Sequence, residues 1–216
     1  MATKITKEKI IDAYIDYVLT EGKVPNSVYS FAKQNKMDEG QFYEFFASFD
    51  AIEVALWIED FNKTLEKVRS QEVWSTYGVR EKLLSFFFTY FEILKSHRSI
   101  VVHSYKANAK PQGLSVSGPL KQLRVVFNDF ATELVGEGLE SGELKDRMKL
   151  NDRYKDAMWA QYLFLLNFWT NDSSVGFEKT DEAIEKGVNV TFDLIGRNPI
   201  DNLIDYGKFL AQNARV

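Results

Sequence analysis

Apolar positions recur at helical spacing almost from the first residues. Between Thr6 and Glu21 they fall at Ile10, Ile11, Ala13, Tyr14, Val18 and Leu19. This predicts a helix with Thr6 as N-cap and Gly22 as its stop. A short second helix is expected over Ser27–Gln34, capped by Asn26, with Val28, Phe31 and Ala32 facing inward. A third starts at Asp38, where Asp38 and Gln41 suit a capping box and Phe42, Phe45 and Phe46 supply the buried face. After a break near Ala47–Phe49, a longer helix runs from about Asp50 to Ser70. Its stripe reads Ala51, Val54, Ala55, Ile58, Phe61 and Leu65, with Trp57 beside it.

Val79–Leu94 is apolar almost all round, the pattern of a central, buried helix. Ser99–Tyr105 suits a short helix. Pro111, Gly113 and Gly118 mark Lys106–Pro119 as a loop. Helical spacing returns over Leu120–Val135, Asp152–Trp169 and Thr180–Ile195, and after Pro199 a last helix is expected over Ile200–Ala214. No segment alternates long enough for a sheet. The expected class is all-α, with nine or ten helices.

Composition narrows the chemistry. The chain has no cysteine, which removes disulfides, cysteine-ligated metals and thiol catalysis and suits a reducing cytoplasm. Its longest apolar stretches, Tyr162–Trp169 and Phe86–Leu94, fall well short of the ~20 residues that cross a bilayer, so no membrane insertion is expected. His97 and His103, the only histidines, would point about 240° apart on one helix, a poor pair for a metal. The carboxylates read as solvated helix faces, and no phosphate-binding or nucleophile motif is present. No enzyme activity, metal or cofactor is expected.

Three short helices with a tight turn between the second and third describe a helix-turn-helix module. Here the chain resembles the tetracycline-repressor (TetR) family of bacterial transcriptional regulators. The matching residues are Ile10-Ile11-x-Ala13, Gly22, Asn26-Ser27-Val28, Phe31-Ala32, Gly40-x-Phe42-Tyr43-x-Phe45-Phe46 and Ser48-x-Asp50-x-Ile52. A weaker match is Glu137-Gly138-x-x-x-Gly142-Glu143-Leu144, a turn that often precedes the penultimate long helix of such proteins.

The resemblance implies a division into a head over 1–49, a connecting helix over 50–70 and a ligand-binding and dimerisation body over 71–216. It implies a homodimer that places two recognition helices on a double-stranded DNA operator. Ser27, Lys33, Lys36, Gln41 and Tyr43 would then contact DNA, with Gln41 able to pair with adenine and Tyr43 with phosphate. A small apolar or lipid-like ligand would sit among Trp57, Phe61, Phe87, Phe91, Phe127, Phe130, Trp159 and Tyr162. Leu165, Phe168, Trp169, Ile184, Val188, Phe192 and Ile195 would form the dimer interface.

Most departures from the family pattern make the head more acidic, with Lys36 the exception. Asp38-Glu39 stands where Ser-Lys is usual, Phe49 replaces a lysine, Glu44 follows Tyr43, and Lys36 occupies a turn position often held by glycine. Residues 1–62 hold six basic and eleven acidic residues, a net −5, whereas residues 63–216 hold 21 and 20, a net +1. The whole-chain charge of −4 is thus concentrated in the one module expected to meet phosphate. Two readings follow. One is a ligand-responsive DNA-binding regulator, acting as a repressor. The other is a protein of the same fold that has lost DNA binding and serves an apolar ligand or another protein. For Phe49, packing and an exposed contact both remain open.

Overall fold

The computed structural model describes residues 5–108 and 116–196. Among them run nine α-helices joined by turns and short 3-10 segments, with no β-sheet, as the periodicity predicts. They are α1 (Lys7–Glu21), α2 (Val28–Gln34), α3 (Glu39–Tyr43), α4 (Phe49–Arg69), α5 (Val79–Lys95), α6 (Arg98–Asn108), α7 (Pro119–Ser141), α8 (Tyr154–Asn171) and α9 (Glu178–Ile195). The helix expected over Ile200–Ala214 and half of the expected loop, residues 109–115, lie outside the described residues, while residues 106–108, expected in that loop, continue α6. Two compact units form, one from Met1–Lys63 and Glu92–Arg124, the other from Thr64–Phe91 and Val125–Val216.

In the first unit, the caps follow local chemistry. Thr6 Oγ1 accepts from Lys9 N, and α1 stops at Gly22, whose φ of 68° is left-handed. The cap of α2 is Ser27 rather than Asn26, with Ser27 Oγ accepting from Ser30 N at 3.2 Å. Asp38 and Gln41 close the capping box of α3. Its core is aromatic. Phe31 meets Phe42 and Phe49 at centroid distances of 6.1 and 5.3 Å, and Tyr14 stacks on Phe49 at 5.6 Å. Phe49 is therefore a packing residue. Phe42 and Phe46 are buried as expected, but Phe45 is 40% exposed. Helix α3 ends at Tyr43, so Phe45 falls in a turn where helical spacing no longer sets direction.

The inward stripe of α4 is rotated from the expected one. Ile52, Glu53, Trp57, Asp60, Phe61, Thr64 and Val68 are buried, whereas Ala51, Val54, Ala55, Ile58 and Leu65 are only half-buried.

In the second unit, α5, α7 and α8 meet through rings. Phe86 lies 4.8 Å from Phe130 and 5.5 Å from Tyr90, Phe127 lies 5.3 Å from Trp159, and Trp159 stacks on Tyr162 at 5.0 Å. Helix α7 extends beyond Val135, through Gly136 and Gly138, to Ser141. The Gly138–Leu144 motif explains that end. Gly142 takes a φ of 77°, Leu144 N donates to Gly138 O at 2.8 Å, and the buried Leu144 side chain occupies the place a Cβ on Gly138 would fill. Glu143 then accepts from Val79 N at 3.0 and 3.1 Å, capping the start of α5. Before α9, the buried Asp172 accepts from Ser174 N and Oγ and from Thr180 N and Oγ1 at 2.7–3.0 Å.

Candidate functional site

The packing of α1–α3 leaves polar side chains of the helix-turn-helix exposed. Ser27, Lys33, Lys36 and Tyr43 are exposed, and Gln41 is half-buried. Lys36 sits at φ 55°, so the turn bends with a lysine in the conformation glycine adopts most cheaply. Asp38, Glu39 and Glu44 are exposed on or beside α3. The Gln41 Oε1 already accepts from Asp38 N at 2.9 Å, so its cap role competes with base reading. Ser27 Oγ is likewise occupied as the α2 cap.

Also in the first unit, α4 and α6 run antiparallel with polar pairs at both ends. At one end the buried Glu53 accepts from Tyr14 Oη at 2.8 Å through Oε1, and from Ser104 Oγ at 2.7 Å and Asn108 Nδ2 at 3.2 Å through Oε2. Ser104 Oγ in turn accepts from Trp57 Nε1 at 3.0 Å. Burial, then the negative charge of Glu53, pushes the Tyr14 phenol well above the usual tyrosine range. At the other end His97 Nε2 lies 2.7 Å from Asp60 Oδ2, and His97 Nδ1 lies 2.9 Å from Ser96 Oγ. Between the ends, Leu56, Trp57, Ile100 and Val101 help line a cavity of about 10 Å³, room for a single water. The carboxylates of Glu53, Asp60 and Asp172 are thus buried, contrary to the expectation of solvated faces. Position alone separates them from other acids: Glu53, Trp57, Asp60 and Thr64 repeat at spacings of four, three and four, one buried stripe of α4.

The eight residues expected to hold a ligand are all buried, and the units divide them. Trp57 and Phe61 belong to the first unit. Phe87, Phe91, Phe127, Phe130, Trp159 and Tyr162 belong to the second, where all but Phe91 are joined by ring contacts, Phe91 meets Tyr90 and Trp169, and Tyr162 Oη lies 3.0 Å from Tyr90 Oη.

Of the expected interface residues, Leu165, Trp169, Ile184, Val188, Phe192 and Ile195 are buried within the chain itself, where α8 packs on α9; Phe168 is half-buried. The same two helices expose other apolar side chains. Phe164 is 55% exposed, Val190 57% and Leu194 45%, and Phe164 contacts Phe168 at 6.2 Å.

Residues 82–210 match the model of the tetracyclin repressor-like C-terminal domain, more than half of the chain. The chain belongs to the TetR family. As a TetR-family protein it also resembles solved structures. One is a Shewanella sp. PV-4 protein assigned to the tetR family of transcription regulators, with a TM-score of 0.61 and 12% identity, covering 90% of this chain and 100% of that one. Another is a protein of unknown function from Rhodococcus sp. RHA1, with a TM-score of 0.59 and 13% identity, covering 91% and 98%. At such identities the likeness shows the shared fold. No curated protein matches this TetR-family chain in sequence. Among the described residues, no helix is long and apolar enough to cross a membrane.

Proposed function

We propose that the protein is a homodimeric TetR-family regulator that binds DNA through its helix-turn-helix, responds to a small apolar ligand and acts as a repressor in the cytoplasm. One observation carries the DNA-binding part. Phe31, Phe42, Phe46 and Phe49 of the helix-turn-helix are closed into a core, while Ser27, Lys33, Lys36 and Tyr43 stay exposed. Two lysines and a phenol are groups that hold phosphate and set register. A ligand would act by binding one arrangement of the heads better than another. The aromatic interior of the second unit is the kind of surface that takes an apolar ligand once its rings part. For the dimer, the exposed side of α8 and α9, with Phe164, Phe168, Val190 and Leu194, supports pairing beyond the six residues already buried.

The test is binding of the full chain to random and genomic DNA fragments, at micromolar protein and about 50 mM salt, repeated near 200 mM. A regulator binds at low salt and weakens steeply as salt rises. No binding at about 50 mM salt overturns this reading.

A second reading has a specific observation in its favour: three exposed carboxylates, Asp38, Glu39 and Glu44, on or beside α3. On this reading the head no longer meets DNA and the body keeps the apolar ligand. Mass spectrometry of protein purified without denaturation would then find a bound lipid in a preparation that fails to bind DNA.

A further inference from the structure

We propose that Glu53 is a coupling residue that ties α6 to α1, so that the position of α6 sets how firmly the first helix of the head is held. The two carboxylate oxygens serve different helices. Oε1 takes the Tyr14 hydroxyl of α1, and Oε2 takes Ser104 and Asn108 of α6. Tyr14 and Ser104 are 90 residues apart in sequence and share this acceptor at the point where α1, α4 and α6 meet.

Glu53 is 5% exposed, so bulk water does not take the place of a donor that leaves. Losing the α6 donors strips two of its three named hydrogen bonds at once and leaves Tyr14 as the remaining one. The carboxylate, short of donors, then moves toward solvent and its hold on Tyr14 weakens, which loosens α1. The reverse holds when Tyr14 lets go. The α6 side is itself held in place. Asn108 Nδ2 also donates to Ser104 O at 2.9 Å, and Ser117 Oγ donates to Asn108 O at 2.9 Å. Gly118, at φ 54°, leaves the space the Asn108 side chain fills. A displacement of α6 therefore carries both donors away together. The linkage lies wholly within the first unit and holds whether or not the head binds DNA.

The experiment is a double-mutant cycle on the full chain, Tyr14→Phe and Ser104→Ala, read by thermal melting and by hydrogen exchange. Each substitution is expected to lower Tm by a few degrees. The double variant should lose at least about 2 °C less than the sum, because both act on one carboxylate. Ser104→Ala should also speed exchange severalfold around Tyr14 in α1, and Tyr14→Phe should do so in α6. In a Glu53→Met background, or Glu53→Gln if the former does not fold, this coupling should disappear or shrink. Additive Tm losses, with exchange changes confined to the substituted helix, overturn the proposal. So does coupling that persists at full strength without the Glu53 carboxylate.

Discussion

Neutralising the acids of the recognition helix should strengthen DNA binding, and the size of the gain follows from their exposure. The variant carries Asp38→Asn, Glu39→Gln and Glu44→Gln. All three side chains are exposed, so the substitutions change charge with little change in packing, and asparagine remains a good N-cap at position 38. With a docked helix placing each carboxylate about 8 Å from a phosphate, the repulsion in water is about 0.5 kcal/mol per pair. Screening at about 50 mM salt reduces this to about 0.3 kcal/mol. Each carboxylate near about two phosphates then gives about 2 kcal/mol per head for the three, which is roughly a thirtyfold change in affinity. Two heads of a dimer would compound it. The assay is fluorescence anisotropy with a labelled duplex, run on native and neutralised protein between about 50 and 500 mM salt, with Tm measured beside it. The gain should fall as salt rises, because screening removes the term responsible. An unchanged affinity at low salt, or a gain indifferent to salt, would refute the electrostatic reasoning. A native protein that is silent and a variant that binds would identify the carboxylates as the obstacle.

Three further outcomes are expected. Lys36→Gly should raise stability by about 0.5–1 kcal/mol, because Lys36 is held at φ 55°, and should raise Tm by a few degrees while removing one phosphate contact. Burial pushes the Asp172 carboxyl upward, but hydrogen bonds from Ser174 and Thr180 outweigh it and hold the pKa at about 2, against an ordinary value of 3.8. The carboxylate's contribution, about 1–2 kcal/mol, is therefore complete above about pH 5 and is lost as pH falls from there through about 2. Asp172→Asn should flatten that part of the acid limb in a urea-unfolding series, and Asp172→Ala should cost about 2 kcal/mol at neutral pH by freeing the start of α9. Phe164→Glu with Val190→Glu should leave the far-ultraviolet circular dichroism unchanged and give a light-scattering mass near the 24.9 kDa of one chain, whereas Ile184→Glu, at a fully buried site, should unfold the protein instead. A dimer surviving the paired substitution would locate the interface elsewhere.

Local chemistry accounts for what the sequence reading reached. Thr6, Gly22 and the Asp38/Gln41 pair each satisfy or end a helix within a few residues, so they can be recognised without knowing the rest of the fold. The aromatic core of the helix-turn-helix was legible for the same reason at Phe31, Phe42 and Phe46. Phe45 is not, because α3 ends at Tyr43 and helical spacing no longer sets the direction of a side chain beyond it.

The remaining gaps have one physical origin: periodicity identifies a stripe but not what lies against it. Helix α8 carries apolar side chains on nearly every face, so Leu165 and Trp169, which meet their own chain, look no different in sequence from Phe164, which faces outward. Helix α4 is the sharper case. Its most apolar-looking stripe, through Val54, Ala55 and Ile58, is only half-buried, and the buried stripe carries Glu53, Asp60 and Thr64. A hydropathy scale counts those three as solvent-facing because it charges each for leaving water. That charge is offset here by donors from elsewhere in the chain, Tyr14, Ser104 and Asn108 for Glu53 and His97 for Asp60, which become neighbours only after folding. A buried carboxylate with distant donors is thus the feature least visible in sequence. It also marks where helices separated along the chain depend on one another, since removing a donor from one helix leaves a cost on the others.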